Sequence, residues 1–155
     1  STGSRPPADG VSAKGKYIAH DFHRSARHMG IPYNPPSRFP LPTQNAARAY
    51  YWLHGQDCAL ARQFAHAVYR ALFVDDQDIS APEIVIEIAA KLGVDRSNLE
   101  TALQSPEIKA RLKDEVDNAL KIGVFGSPYV LIDGEAFFGA DRLPQIEKWL
   151  ETGAF

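Results

Sequence analysis

The stretch that decides the fold is Gly123-Val124-Phe125-Gly126-Ser127-Pro128, followed directly by Tyr129-Val130-Leu131-Ile132, Asp133-Gly134 and Glu135-Ala136-Phe137-Phe138. Two short apolar runs flank Asp-Gly, a dipeptide that tolerates the positive φ angles of a tight type I′ turn, so the segment reads as a β-hairpin. A proline placed just ahead of a strand admits two readings. One is an ordinary trans turn joining helix to strand. The other is a cis peptide bond, which X-Pro accepts at roughly 0.5–1 kcal/mol, with a bend that frees a backbone edge beside the strand. Such an edge pairs with an extended, peptide-like ligand, strand against strand.

Downstream, Phe138-Gly139-Ala140-Asp141-Arg142-Leu143 runs from the second strand into a final helix through Leu150, with Leu143, Ile146, Trp149 and Leu150 expected to face inward. A helix N-terminus offers unpaired N–H groups and a partial positive charge that welcome a carboxylate. Asp141 is read as the cap of this helix, and the same carboxylate can attract a ligand ammonium. Amides and carboxylate together suit the zwitterionic end of an α-amino acid.

Upstream the period is helical. Residues 1–11, with Pro6-Pro7 and Asp9-Gly10, read as loop. Residues 12–29 carry a partial apolar stripe of Tyr17, Ile18, Phe22 and Met29 and stop at Gly30. Ile31 to Pro42 holds five prolines and must be extended. Residues 44–54 and 58–74 form an αα-hairpin, with Thr43 and Asp57 as caps. Ser80-Ala81-Pro82-Glu83 has the form of a capping box opening a helix to Gly93. Asp95 or Ser97 starts a short helix, and Ser105-Pro106-Glu107 starts a longer one, carrying Ile108, Leu112, Val116, Ala119 and Leu120, that ends at Gly123. A lone two-stranded hairpin is marginal in water. The apolar strands here are therefore expected to pair with an N-terminal βαβ segment lost from the chain or supplied by another.

The bulk numbers narrow the function classes. With 155 residues, 45% of them hydrophobic, the chain can bury one core. Its net charge of −2, with acids and bases interleaved, excludes a nucleic-acid footprint. No run approaches the ~18 apolar residues of a membrane span and no signal peptide is evident. The single cysteine, Cys58, permits neither an internal disulfide nor Cys-x-x-Cys and fits a reducing compartment, so a cytoplasmic location is expected. The start at Ser1 without methionine suggests truncation or processing.

Taken in order, Gly-Val-Phe-Gly-Ser-Pro, Tyr-Val-Leu-Ile-Asp-Gly, Phe-Phe-Gly-Ala-Asp-Arg-Leu and an amphipathic helix resemble the C-terminal ββα of the 2-hydroxychromene-2-carboxylate isomerases and kappa-class glutathione transferases, within the DsbA-like thioredoxin superfamily. Gly3-Ser4-Arg5-Pro6-Pro7, Ala13-Lys14-Gly15-Lys16-Tyr17, His20-Asp21 and the proline-rich loop resemble the entry to the helical domain inserted in that fold. The resemblance covers essentially the whole chain but about three quarters of a family domain.

It implies an α/β, thioredoxin-like fold of DsbA/kappa type, this chain being mostly α with a C-terminal β-hairpin and helix. Residues 1–11 would lead into the insertion, 12–121 form it, and 122–155 supply the ββα part. The implied activity is a glutathione-dependent isomerase acting on 2-hydroxychromene-2-carboxylate-like intermediates of aromatic catabolism. A kappa-type transferase, a DsbA-like dithiol oxidoreductase or a non-enzymatic interaction module that docks by strand addition are the alternatives.

Site residues are likewise implied. Ser127, beside Pro128, would bond the cysteinyl portion of glutathione through its backbone. Ala140 and Asp141 would hold the γ-glutamyl end. Ser4 stands where relatives often carry asparagine near the thiol, and Lys14 and Arg5 stand where a base meets the glycine carboxylate or an acidic substrate. The family's activated serine lies ahead of residue 1, so this chain is expected to form a partial site with little activity alone. The implied partners are glutathione and a small aromatic substrate, with a homodimer as the family's usual state.

Other constellations read as structure. His20, His23 and His28 fit a solvated helix face better than a metal site, having no second ligand cluster. Cys58, one turn from His54, sits in an alanine-rich stripe and reads as packing. The prolines between 35 and 42 read as a wrapped loop, not an SH3 ligand. Tyr50, Tyr51 and Trp52 are either core or the wall of an apolar substrate pocket.

Overall fold

A computed structural model of the chain describes residues 12–154. The elements are α1 (Ala13–Met29), α2 (Gln44–His54), α3 (Cys58–Phe73), α4 (Pro82–Ala90), α5 (Arg96–Gln104), α6 (Pro106–Lys121), β1 (Tyr129–Ile132), β2 (Glu135–Phe138), a 3-10 turn (Ala140–Arg142) and α7 (Leu143–Thr152). They fall into two compact units, Ser1–Leu112 and Lys113–Phe155.

Helix starts follow the chemistry of their caps. The Ser12 hydroxyl accepts from the Gly15 N–H at 2.9 Å, and Asp57 accepts from Ala59 at 2.7 Å and Leu60 at 3.1 Å. Asp95, rather than Ser97, starts α5 by accepting from Asn98 at 2.8 Å, and Ser105 starts α6 by accepting from Ile108 at 3.2 Å. Each satisfies an amide that has no acceptor inside the helix. Thr43 occupies the cap position of α2 without a side-chain bond.

The capping box at Ser80 does not form. Ala81 is the N-cap of α4, and the Ser80 hydroxyl instead donates to Asp78 Oδ1, which also accepts from the Ser80 N–H at 3.0 Å. The serine joins an Asx turn because a carboxylate two residues earlier is a stronger acceptor partner than the helix amide is a donor. Helix α4 also ends at Ala90, short of Gly93.

The first unit is built around the α2–α3 hairpin, against which α4 and α5 pack. Ala49, Leu53, Ala61, Phe64, Val85, Ala89, Leu99 and Leu103 form its centre, all at most 2% exposed. The extended proline loop is tied to the end of α3 and the turn beyond it. The Asn34 N–H donates to the Phe73 carbonyl at 2.7 Å, the Ser37 N–H to Asp76 at 2.7 Å, and Arg38 pairs with Asp78 at 3.0 Å. Tyr33 and Phe39 both bring their rings against Phe73. The stripe on α1 has the expected period, but Tyr17, Phe22 and Met29 stay exposed.

In the second unit β1 and β2 pair antiparallel, Tyr129 with Phe138 through to Ile132 with Glu135. Asp133 and Gly134 carry φ angles of 50° and 88°, as the two-residue turn requires. Phe137 and Ile146 are buried, and the Phe137 and Trp149 rings meet edge to face at 5.9 Å. Leu143 and Leu150, expected inward, are exposed, as are Val116 and Leu120 of α6. The helical period identifies an apolar face and leaves open whether anything within the described residues covers it.

Candidate functional site

The two loop motifs meet at one end of the hairpin. The ladder that pairs Tyr129 with Phe138 continues one step further, the Gly139 N–H donating to the Pro128 carbonyl at 3.0 Å. Pro128 therefore lies opposite Gly139, and Ser127 and Ala140 are the next residues of the two loops. The Ser127–Pro128 peptide bond is cis. Ser127, Pro128, Ala140 and Asp141 are all exposed. Among the described residues neither the N–H nor the C=O of Ser127 has a hydrogen-bond partner, so a peptide edge stands open there.

Asp141 does not cap α7. It sits inside the 3-10 turn, and α7 begins at Leu143 with no side-chain cap. The reason is Gly139, whose φ of 110° and ψ of 149° turn the chain sharply out of β2. This conformation is essentially confined to glycine. The Asp141 carboxylate swings back over that glycine, its Oδ1 taking the space a Cβ would need. Its charged partner is Arg142 at 2.8 Å, with the two side chains 70% and 42% exposed. An exposed pair of this kind contributes about 0–1 kcal/mol, so the carboxylate is only weakly held by Arg142.

Gly126 has a matching role, since a Cβ there would fall 2.6 Å from the Phe138 ring. Reading the sequence missed both glycines as site-shaping residues. The available signal was a glycine directly beside each candidate residue, at Gly126-Ser127 and Gly139-Ala140.

The model of the DSBA-like thioredoxin domain matches residues 1–151. The chain belongs to that family. Glutathione S-transferase kappa 1 of Homo sapiens is 24% identical to this DSBA-like chain over 166 residues, spanning 96% of the chain and 73% of that protein. A 2-hydroxychromene-2-carboxylate isomerase of Pseudomonas putida is 30% identical over 138 residues, spanning 89% and 66%. The solved structure of a 2-hydroxychromene-2-carboxylate isomerase superposes with a TM-score of 0.84 at 24% identity, covering 95% of this chain and 70% of that one. The cytosolic disulfide reductase DsbM from Pseudomonas aeruginosa with GSH gives 0.66 at 19%, covering 96% and 78%. These likenesses establish the DsbA/kappa-type thioredoxin-like fold expected from the sequence.

Lys14 lies exposed in the first turn of α1, in the first unit, whereas the four residues above belong to the second. Ser4 and Arg5 lie outside the described residues. Tyr50, Tyr51 and Trp52 are half-buried, and Tyr50 and Trp52 pack against the core of the first unit. Tyr50 and Tyr51 line an apolar cavity of about 530 Å³ with Phe39 and Tyr69, and Tyr51 and Trp52 line another of about 540 Å³ beneath Arg111.

Cys58 is exposed at the start of α3 rather than packed, its sulfur 3.7 Å from His54 Nε2. The exposure follows from its place as the first helical residue, ahead of the buried stripe that begins at Ala61. Among the described residues no three metal-ligating side chains converge, and no helix is long and apolar enough to cross a membrane. Hydrogen bonds from Ser80 hold the Asp78 carboxyl below its usual range, and burial pushes the Tyr33 phenol up.

Proposed function

We propose that this DSBA-like chain forms part of a glutathione-dependent isomerase acting on 2-hydroxychromene-2-carboxylate-like aromatic intermediates, as a cytoplasmic and dimeric protein. In this reading residues 12–121 are the helical insertion and 122–155 the ββα part of the thioredoxin-like domain. The observation that carries it is the Gly139–Pro128 hydrogen bond, which joins the loop carrying Ser127 to the loop carrying Asp141.

The residues fit glutathione by their chemistry. A peptide N–H and C=O at Ser127 match the backbone of a cysteinyl residue, strand against strand. Asp141 matches the ammonium of the γ-glutamyl group, while the amides at the start of the 3-10 turn match its α-carboxylate. Bound glutathione supplies a thiol that adds to an unsaturated carbon, permits rotation about the former double bond, and leaves again. The protein's part is to fix the tripeptide at two neighbouring residues so that the sulfur has one position, which is the positioning component of catalysis. Kinship with the kappa-class transferases and the isomerases alike supports glutathione as the co-reactant.

The test is a spectroscopic assay of 2-hydroxychromene-2-carboxylate isomerisation by the whole protein of which this chain forms part, with and without reduced glutathione. Turnover that depends on glutathione is expected. Turnover indifferent to glutathione, or catalysis of disulfide reduction in place of isomerisation, contradicts the reading.

A further inference from the structure

The rings beside the Ser127 edge play no part in holding a tripeptide backbone, and their arrangement indicates what else the site takes. Phe125 is 73% exposed, yet its ring packs against two others. It lies 4.7 Å from the Phe138 ring at an interplanar angle of 56°, and 5.5 Å from the Tyr129 ring at 85°. Gly126, between Phe125 and Ser127, has its Cβ space occupied by the Phe138 ring, which clamps the three rings to the loop backbone one residue from the edge. Two neighbours in tilted and edge contact leave the free face of Phe125 in solvent, and a face presented in this way favours another ring, through offset or edge-on geometry, over a chain of equal apolar area.

We propose that Phe125 is a specificity-determining residue for an aromatic co-substrate. With Tyr129 and Phe138 it forms a platform on which the flat part of an aromatic electrophile rests, beside the peptide edge that holds the cysteinyl residue. This rests on the glutathione reading of the same loop. An aromatic contact of this kind changes affinity about two- to tenfold.

The probes are glutathione, S-benzylglutathione, which carries a ring on the sulfur, and S-hexylglutathione, which carries a similar apolar area without one, each titrated calorimetrically into the full chain. The wild type is expected to bind S-benzylglutathione about two- to tenfold more tightly than either of the others. Phe125→Leu should lose that preference with glutathione affinity unchanged, and Phe125→Tyr should retain it, both variants melting as the wild type does. Equal binding of the benzyl and hexyl compounds by the wild type, or a benzyl preference that survives Phe125→Leu, overturns the proposal while leaving glutathione binding intact. Failure of glutathione itself to bind the wild type overturns the underlying reading as well.

Discussion

Glutathione binding is expected to weaken about tenfold to a hundredfold when Asp141 is replaced by alanine, with the unfolding midpoint nearly unchanged. The affinity estimate comes from a hydrogen bond between charged groups, which contributes about 1.5–3 kcal/mol at a ligand. The lack of a stability effect has a separate origin. Among the described residues Asp141 is 70% exposed, caps no helix, and pairs with Arg142. Calorimetric titration and a thermal melt on the same variant check both halves. A large fall in stability with unchanged affinity would mean that the carboxylate serves the turn rather than a ligand.

The largest stability effect is expected at Phe64. Its ring, 1% exposed on α3, fills the centre of the first unit among Leu53, Val85, Leu99 and Leu103. Phe64→Ala removes that ring from a close-packed interior and should lower stability by about 3–5 kcal/mol, the transfer and cavity contributions together. Since domains of this size are stable by only about 5–15 kcal/mol, the variant should be partly unfolded at modest urea concentrations. Urea denaturation followed by circular dichroism checks it. A loss under about 1 kcal/mol would show that the aromatic cavity beside Phe64 lets the neighbouring rings collapse into the space.

Much of this architecture is legible in the residues because the signals are local. Asp57, Asp95 and Ser105 sit directly ahead of helical periods and cap them, and Asp133-Gly134 fixes a two-residue turn that sets the register of both strands. The register in turn makes the site legible, since two strands of four residues joined by two must bring Pro128 opposite Gly139. Ser80 and Asp141 were harder to read because each has a competing partner nearby. Asp78 takes the Ser80 hydroxyl, and the turn at Gly139 delays α7 by a 3-10 segment. The exposure of Leu143, Leu150, Val116 and Leu120 was not legible, because an amphipathic period specifies a face without specifying its cover. Nor was Phe125: a sequence shows an aromatic residue in a loop, whereas its packed yet exposed ring is a property of three side chains together.

The central claim is that Ser127 and Asp141 hold neighbouring residues of one bound tripeptide, and a titration of the 15N-labelled chain with reduced glutathione, followed by two-dimensional NMR, tests it most directly. The account predicts that the amides of Ser127, Ala140 and Asp141 shift together along one saturation curve. Shifts confined to one of the two loops, or two sets that saturate at different concentrations, would contradict it.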